Sequence, residues 1–148
     1  MKLFYLDSSA WLKRFFDEPG SSWVRGLFEQ KTALASASLG YVEVSAALAR
    51  QQMSRKMNAE EVKKALGLLD AQWRDFFQVG MDDEIVSLAV GLAREKRLRG
   101  GDAIHLAAVT YLVRSRAASP GSVVFVVADV ELASAAVSLG LTVVNPEN

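Results

Sequence analysis

Cysteine is absent from the sequence, and histidine and proline are scarce, with one and three residues respectively in 148. The lack of cysteine excludes disulfide bonds, thiolate metal sites and a cysteine nucleophile, and it is typical of proteins from a reducing compartment. No apolar run reaches the roughly 20 residues that a membrane-spanning helix needs. The first apolar segment, "KLFYL", ends at Asp7 and is too short for a signal peptide. We therefore expect a soluble, cytoplasmic protein that does not interact with membranes.

The sequence also has no excess of charge of either sign, since 17 lysines and arginines balance 17 aspartates and glutamates. A strongly basic protein would attract nucleic acid or anionic lipid over its whole surface. That kind of attraction is excluded here. Any contact with a polyanion must depend on a local basic patch.

Hydrophobic residues make up 51% of the chain, which is enough for one well-packed core, so we expect a single domain over residues 1–148. Short apolar runs alternate with longer segments of helical periodicity. Strands are predicted at 2–6, 32–37, 77–81, 122–128 and 141–145, and helices at 8–16, 22–30, 41–53, 58–76, 82–97, 101–116 and 130–140. This alternation predicts an α/β three-layer sandwich, in which helices flank a mostly parallel sheet of about five strands.

Four acidic residues occupy equivalent places in this pattern, at or just after the ends of predicted strands. Asp7 and Asp129 follow strands directly, Glu43 lies early in the helix after the second strand, and Asp102 opens the helix after "RLRGG". In parallel sheets the carboxyl ends of the strands meet at one edge, where binding sites form. The four carboxylates are therefore predicted to converge in one cleft.

Each acid also has a simpler interpretation. Asp7, Asp102 and Asp129 could each cap a helix, although Ser8 and Ser9 would cap the first helix better than Asp7. Glu43 resists this interpretation, because it lies among apolar residues where burial of an unpaired carboxylate is costly. One shared cause explains the four positions better than four coincidences.

Clustered carboxylates repel each other unless protons or a cation neutralise them. Oxygen ligands without cysteine, and with a single histidine in the chain, favour Mg²⁺ or Mn²⁺ over Zn²⁺. Such ions bridge to phosphate oxygens and activate water for attack on phosphorus. The pattern therefore predicts hydrolysis of phosphodiester bonds.

Four segments in this order resemble the PIN-domain ribonucleases of the VapC toxin type: "FYLDSSAWLKRFFDEPGS", "GYVEVSAALAR", "GGDAIHLAAV" and "VVADVELASAA". The resemblance runs along the whole chain and implies a PIN-like fold. It places Asp7, Glu43, Asp102 and Asp129 on the family's acidic positions, as catalytic residues and ligands of Mg²⁺ or Mn²⁺. It further implies endonucleolytic cleavage of RNA, a small VapB-type antitoxin as partner, and a homodimer.

The chain departs from the family pattern at two places. Gly40 and Val127 stand where a hydroxyl residue often precedes the glutamate and the last aspartate. A hydroxyl at either position would orient a carboxylate or a water, so its absence loosens the expected support of the site. The four acids are intact, and we expect an active enzyme.

Several other polar residues have a functional and a structural interpretation. Ser9, two residues after Asp7, could hold a metal-bound water or a phosphate, or it could simply begin a helix. His105 lies one helical turn after Asp102, but packing in the core as a neutral residue is favoured over proton transfer. The cluster Asp82–Glu84 suits a helix N-terminus better than a metal site.

Basic and aromatic residues near the acids are the candidates for contacts with partners. Contacts with RNA phosphates are predicted for Lys13, Arg14, Arg97 and Arg99. Each could equally be solvated or complement a helix C-terminus. Trp11 and Trp23 are candidates for lining a groove that receives a partner helix.

Two other functional classes are open to the sequence. An aspartate-dependent phosphatase or phosphoacceptor domain also carries an aspartate after its first strand, but such folds need further acids near it or a late lysine. Here Asp7 precedes two serines, and no lysine follows Lys96. The second alternative is a non-catalytic PIN-like binding module, which would bind metal weakly and cleave nothing.

Overall fold

The computed structural model describes residues 2–54, 56–116 and 121–148, and five strands and seven helices lie within these ranges. The strands are β1 (Leu3–Leu6), β2 (Ala33–Ala37), β3 (Phe77–Val79), β4 (Val123–Val126) and β5 (Thr142–Val144). The helices are α1 (Ser8–Leu12), α2 (Ser21–Glu29), α3 (Ser38–Met53), α4 (Ala59–Trp73), α5 (Asp83–Lys96), α6 (Gly100–Arg116) and α7 (Val130–Ser138).

The five strands form one sheet in the order β3-β2-β1-β4-β5, and every pairing in it is parallel. The chain moves outward from β1 to β3 and then returns to place β4 on the other side of β1. The direction of winding therefore reverses between β1 and β4, which is where open parallel sheets bind ligands. The predicted α/β sandwich with about five strands is confirmed.

The side chains of β1 alternate between two hydrophobic cores, one on each face of the sheet. Leu3 and Tyr5 pack into a core with residues of α5, α6 and α7, whereas Leu6 packs into the core that α1 to α4 cover. Trp11 is fully buried in this second core and stacks on Phe76 at a ring distance of 4.7 Å. The prediction that Trp11 lines an open groove was therefore wrong.

The helix boundaries differ from the predicted ones where side chains satisfy the backbone. Helix α1 ends at Leu12 rather than at Phe16, and Asp7, not Ser8 or Ser9, is its N-cap. Asn58 caps α4 in a capping box with Glu61, and Asp82 caps α5, which confirms the structural interpretation of both segments. Within the described residues, no helix combines the length and apolarity that crossing a membrane requires.

Candidate active site

Asp7 lies at the carboxyl end of β1 and is held rigidly. Its Oδ1 accepts a hydrogen bond of 2.9 Å from the backbone N–H of Ala10, and the Ser9 hydroxyl donates to its carboxylate at 3.0 Å. Only 4% of the residue is exposed. Burial raises the pKa of Asp7 to about 6, the charge of Asp102 adds to this, and the hydrogen bonds and His105 oppose it. Asp7 is thus a helix cap whose ionised form is destabilised by burial.

Glu43 projects from the second turn of α3, and its carboxylate is well satisfied. Its Oε1 accepts hydrogen bonds from Ser8 Oγ at 2.9 Å and from His105 Nε2 at 2.8 Å. The hydrogen bond from His105 lowers the pKa of Glu43, against the opposing effect of partial burial. The side chain is 38% exposed and has two hydrogen-bond donors, so Glu43 avoids the cost of burying an unpaired carboxylate.

Asp102 is the third residue of α6 and therefore lies inside the helix. The alternative that it is an N-cap was wrong. Partial burial, followed by the charge of Asp129, raises the pKa of Asp102, whereas His105 and Arg99 lower it. Gly100 and Gly101 are helical, and Arg97, with φ 55°, makes the turn before them.

Asp129 is the N-cap of α7 and accepts a hydrogen bond of 2.8 Å from the backbone N–H of Leu132. Its capping role is therefore confirmed, but its charge also acts on Asp102. The charge of Glu43 also raises the pKa of Asp102, and the charge of Asp102 raises the pKa of Asp7. Asp7 and Asp129 thus lie at the carboxyl ends of β1 and β4, and Asp102, on α6, is close enough to interact with both.

The donor chemistry of these residues fits a hydrated magnesium or manganese ion. No three Asp, Glu or His side chains, among the residues that the structure describes, are arranged to enclose an ion. Mg²⁺ does not need such a cage, because it retains several waters and binds through one or two carboxylates. The raised pKa values of Asp7 and Asp102 show carboxylates that an added positive charge would stabilise.

The basic residues divide into buried and accessible groups. Lys13 is 4% exposed and forms ion pairs with Glu18 at 3.1 Å and Glu147 at 3.0 Å, so it is not available to RNA. Arg14 lies over the ring of Phe28 at 5.2 Å.

Arg97 and Arg99 are exposed between α5 and α6, and Arg99 is close enough to Asp102 to lower its pKa. Trp23 is also accessible, with 39% of its surface exposed. These three residues remain predicted contacts with partners.

Three contributors to the site were missed or only partly predicted. Ser8 was considered only as a helix start, yet its hydroxyl binds Glu43. His105 is buried as expected, but it also connects Glu43 to Tyr5 through its two ring nitrogens. The signal available in the sequence was the spacing of Asp102 and His105, which puts them on nearly the same helix face. The contribution of Tyr5 had no such signal.

Comparisons with known proteins agree with this architecture. Ribonuclease VapC45 of Mycobacterium tuberculosis is 36% identical over 111 residues, which cover 72% of this chain and 74% of that protein. The structure of FitAB bound to an IR36 DNA fragment covers 98% of this chain and 96% of its own, with a TM-score of 0.68 and 12% identity. A toxin-antitoxin complex from Klebsiella pneumoniae covers 99% of this chain and 98% of its own, with a TM-score of 0.58 and 17% identity.

The profile of the PIN domain family matches residues 4–112. The matched segment contains β1 to β3 and the acids Asp7, Glu43 and Asp102, while Asp129 follows it. Because this segment spans most of the sequence, the chain belongs to the PIN domain family.

Proposed function

We propose that this PIN-domain protein is a metal-dependent endoribonuclease, the toxin of a VapBC-type toxin-antitoxin pair. A ribonuclease of the VapC type is among its relatives, and toxin-antitoxin complexes share its fold. The observation that carries the proposal is the position of Asp7 after β1 and of Asp129 after β4, on the two sides of the switch point of the sheet. Asp102 lies near both, because its charge raises the pKa of Asp7 and the charge of Asp129 raises its own pKa. Such a set of carboxylates favours a divalent cation and a phosphodiester substrate.

Asp7, Glu43, Asp102 and Asp129 are the proposed ligands, direct or through water, and the proposed catalytic residues. A bound Mg²⁺ or Mn²⁺ would neutralise charge on the phosphate and make a neighbouring water more acidic. Ser9 fixes the orientation of Asp7. Both hydrogen bonds to Glu43 within the described residues go to Oε1, which leaves Oε2 to bind a water or a cation.

The proposed partners follow from the same assignment. Arg97 and Arg99, exposed beside Asp102, would contact RNA phosphates. A small VapB-type antitoxin would inhibit the enzyme in the cytoplasm, and the protein would be a homodimer. Its mass in solution is then twice the 16.1 kDa of one chain, which light scattering after size exclusion measures.

The proposed activity is tested with purified protein and end-labelled single-stranded RNA in Mg²⁺, Mn²⁺ or EDTA. We expect internal cleavage with either metal and none in EDTA. Asp7→Asn should abolish cleavage, because it removes a ligand charge but keeps the oxygen that caps α1. Asp82→Asn is the matched control, since Asp82 caps α5 in the same way and is exposed.

Two results would contradict the proposal. Equal cleavage by wild type and Asp7→Asn would mean that the carboxylate site is not responsible. Wild-type protein that binds RNA but cleaves none, with either metal, would instead support a non-catalytic binding module.

A further inference from the structure

His105, the one histidine of the sequence, is buried between two polar side chains and is 2% exposed. Its Nδ1 lies 2.7 Å from the hydroxyl of Tyr5, and its Nε2 lies 2.8 Å from Oε1 of Glu43. Tyr5 belongs to the central strand β1, whereas Glu43 belongs to α3. The imidazole therefore connects the middle of the sheet to a proposed metal ligand.

The hydrogen bonds around Tyr5 determine which imidazole nitrogen carries a hydrogen. The Tyr5 hydroxyl accepts from the backbone N–H of Ala37 at 3.1 Å, so its own hydrogen is available to Nδ1. The neighbouring Ser36 hydroxyl donates its hydrogen to the carbonyl of Leu6 at 2.7 Å. With Nδ1 as acceptor, a neutral imidazole has its hydrogen on Nε2 and donates it to Glu43.

The geometry at Glu43 leads to the same assignment. Its Oε1 already accepts a hydrogen bond from Ser8 Oγ at 2.9 Å and faces Nε2 of His105 at 2.8 Å. An ionised carboxylate only accepts hydrogen bonds. An Nε2 without a hydrogen would face Oε1 at 2.8 Å with two lone pairs opposed, which is repulsive.

Two glycines provide the space for this arrangement. A Cβ at Gly40 would lie 2.7 Å from Ser36 Oγ and 3.1 Å from Cε1 of His105. A Cβ at Gly101 would lie 3.2 Å from Oε2 of Glu43. A side chain at Gly40 would therefore require the Ser36 hydroxyl to move and the imidazole to shift slightly.

We propose that Tyr5 and His105 are positioning residues that hold the Glu43 carboxylate in one orientation at the candidate metal site. The proposal rests on the proposed function, in which Glu43 is a metal ligand. A glutamate on a helix surface has several rotatable bonds, and ordering it on metal binding costs conformational entropy. Anchoring through His105 to Tyr5, and from there to the backbone of β2, removes that freedom before the metal binds.

Two substitutions of His105 separate its two contacts. His105→Gln retains an N–H near the place of Nε2, so the contact with Glu43 can persist. His105→Asn reaches only to the place of Nδ1, so Tyr5 keeps a partner and Glu43 loses one. Tyr5→Phe removes the hydroxyl and keeps the ring that packs edge-on against His105 and Phe125.

We expect His105→Asn to lower kcat for RNA cleavage and raise the Mg²⁺ midpoint by about 10- to 100-fold, with KM for RNA unchanged. The Mg²⁺ midpoint is also measured without RNA, from the rise in melting temperature. His105→Gln should recover most of this loss, whereas a purely space-filling role predicts equal defects for the two variants. Wild-type values of kcat and Mg²⁺ midpoint in His105→Asn would overturn the proposal.

Nitrogen NMR of the imidazole provides a readout that is independent of activity, and a single histidine makes its assignment unambiguous. We expect a hydrogen on Nε2 in wild type, an Nδ1 signal that shifts in Tyr5→Phe, and an Nε2 signal that shifts in Glu43→Gln. An Nε2 without a hydrogen overturns the proposal even when the enzyme is active. If wild type cleaves no RNA, the proposed function fails, and the imidazole signals still decide whether His105 holds Glu43.

Discussion

Glu43 and Asp7 lie at the same edge of the sheet, but their surroundings affect them in opposite ways. Glu43 accepts two side-chain hydrogen bonds to one oxygen, and its pKa is lowered by His105. Asp7 is almost completely buried, and its pKa rises to about 6 despite the hydrogen bonds that it accepts. The protein therefore stabilises the negative charge of Glu43, on α3, and leaves the negative charge of Asp7, after β1, without full compensation.

This difference indicates that Glu43 and Asp7 have different roles in metal binding. Glu43 is ionised and oriented in the absence of a ligand, because Ser8 and His105 supply the compensating hydrogen bonds. Asp7 and Asp102 have charges that only an added cation would fully compensate. Asp7 and Asp102 are thus expected to provide most of the affinity for metal.

After the complete loss expected for Asp7→Asn, the next largest loss of RNA cleavage is expected for Asp102→Asn. The substitution removes one under-compensated charge, and the loss of metal-dependent charge stabilisation should lower RNA cleavage by about 100-fold or more. Folding should survive, since Asp102 is inside α6 and not its cap. Single-turnover cleavage and thermal melts measure the two effects.

Asp83→Asn is the control for Asp102→Asn, because Asp83 also lies in the first turn of its helix but is exposed on α5. It should cleave RNA as wild type does. A similar loss in both variants would mean that first-turn acids act through helix stability and not through metal binding.

The second effect concerns the pH dependence of stability without metal. The folded protein keeps the proton of Asp7 up to about pH 6, whereas an unperturbed aspartate loses it near 3.8. Because the folded state binds more protons between these values, ionisation of Asp7 lowers stability as pH rises through this window. Asp7→Asn should therefore be more stable than wild type at pH 7 by up to about 3 kcal/mol, and equally stable below pH 3.8.

Urea unfolding of both proteins in EDTA, from below pH 3.8 up to pH 7, measures this difference. Adding Mg²⁺ at pH 7 should stabilise wild type and have little effect on Asp7→Asn. If Asp7→Asn is less stable than wild type at every pH tested, burial does not destabilise the ionised form of Asp7.

The third effect separates stability from activity at Lys13. Its ammonium group is buried, forms ion pairs with Glu18 and Glu147, and donates to the carbonyl of Pro19 at 2.7 Å. Lys13→Met should cost about 1–3 kcal/mol of unfolding free energy by removing these charged hydrogen bonds. RNA cleavage at a temperature where the variant is folded should not change.

Lys96→Met is the matched control for Lys13→Met, because the pair of Lys96 with Glu95 is long, at 3.7 Å, and Glu95 is exposed. Ion pairs of this kind contribute little to stability, so the unfolding free energy of Lys96→Met should stay within about 0.5 kcal/mol of the wild-type value. A raised KM for RNA in Lys13→Met would restore the sequence prediction that Lys13 contacts phosphate.

The sequence predicted the fold well because its signals are local. Strand periodicity, helix amphipathicity and the Asn58 capping box each lie within one short segment. Asp7 and Asp129 were placed for the same reason, since they directly follow predicted strands and must lie at the carboxyl edge of the sheet. Glu43 and Asp102 lie in helices, and the resemblance to the PIN family grouped them with the other two. Their distances and coordination depend on the packing of α3 against α1 and α6, which periodicity does not encode.

The long-range polar contacts could not be predicted in this way. Lys13 and Glu147 are separated by most of the chain, and so are Tyr5 and His105. A lysine after an aspartate is an equally good candidate for phosphate and for a buried ion pair, and only the fold distinguishes them. Conversely, Ser8 was undervalued because its partner Glu43 belongs to another helix.

The smallest effect is expected at Arg99, whose positive charge lowers the pKa of Asp102 from an exposed position beside α6. If Arg99 also contacts RNA, Arg99→Gln should raise KM by about 10-fold or less and reduce the slope of log KM against log salt by about one. The exposed Arg50, near the far end of α3 from Glu43, is the control and should leave both values unchanged when replaced by Gln. An unchanged salt slope in Arg99→Gln would restrict Arg99 to balancing the charge of Asp102. In that case Arg99 would already compensate part of the charge of Asp102 before metal binds, and Arg99→Gln should increase the affinity of the site for Mg²⁺.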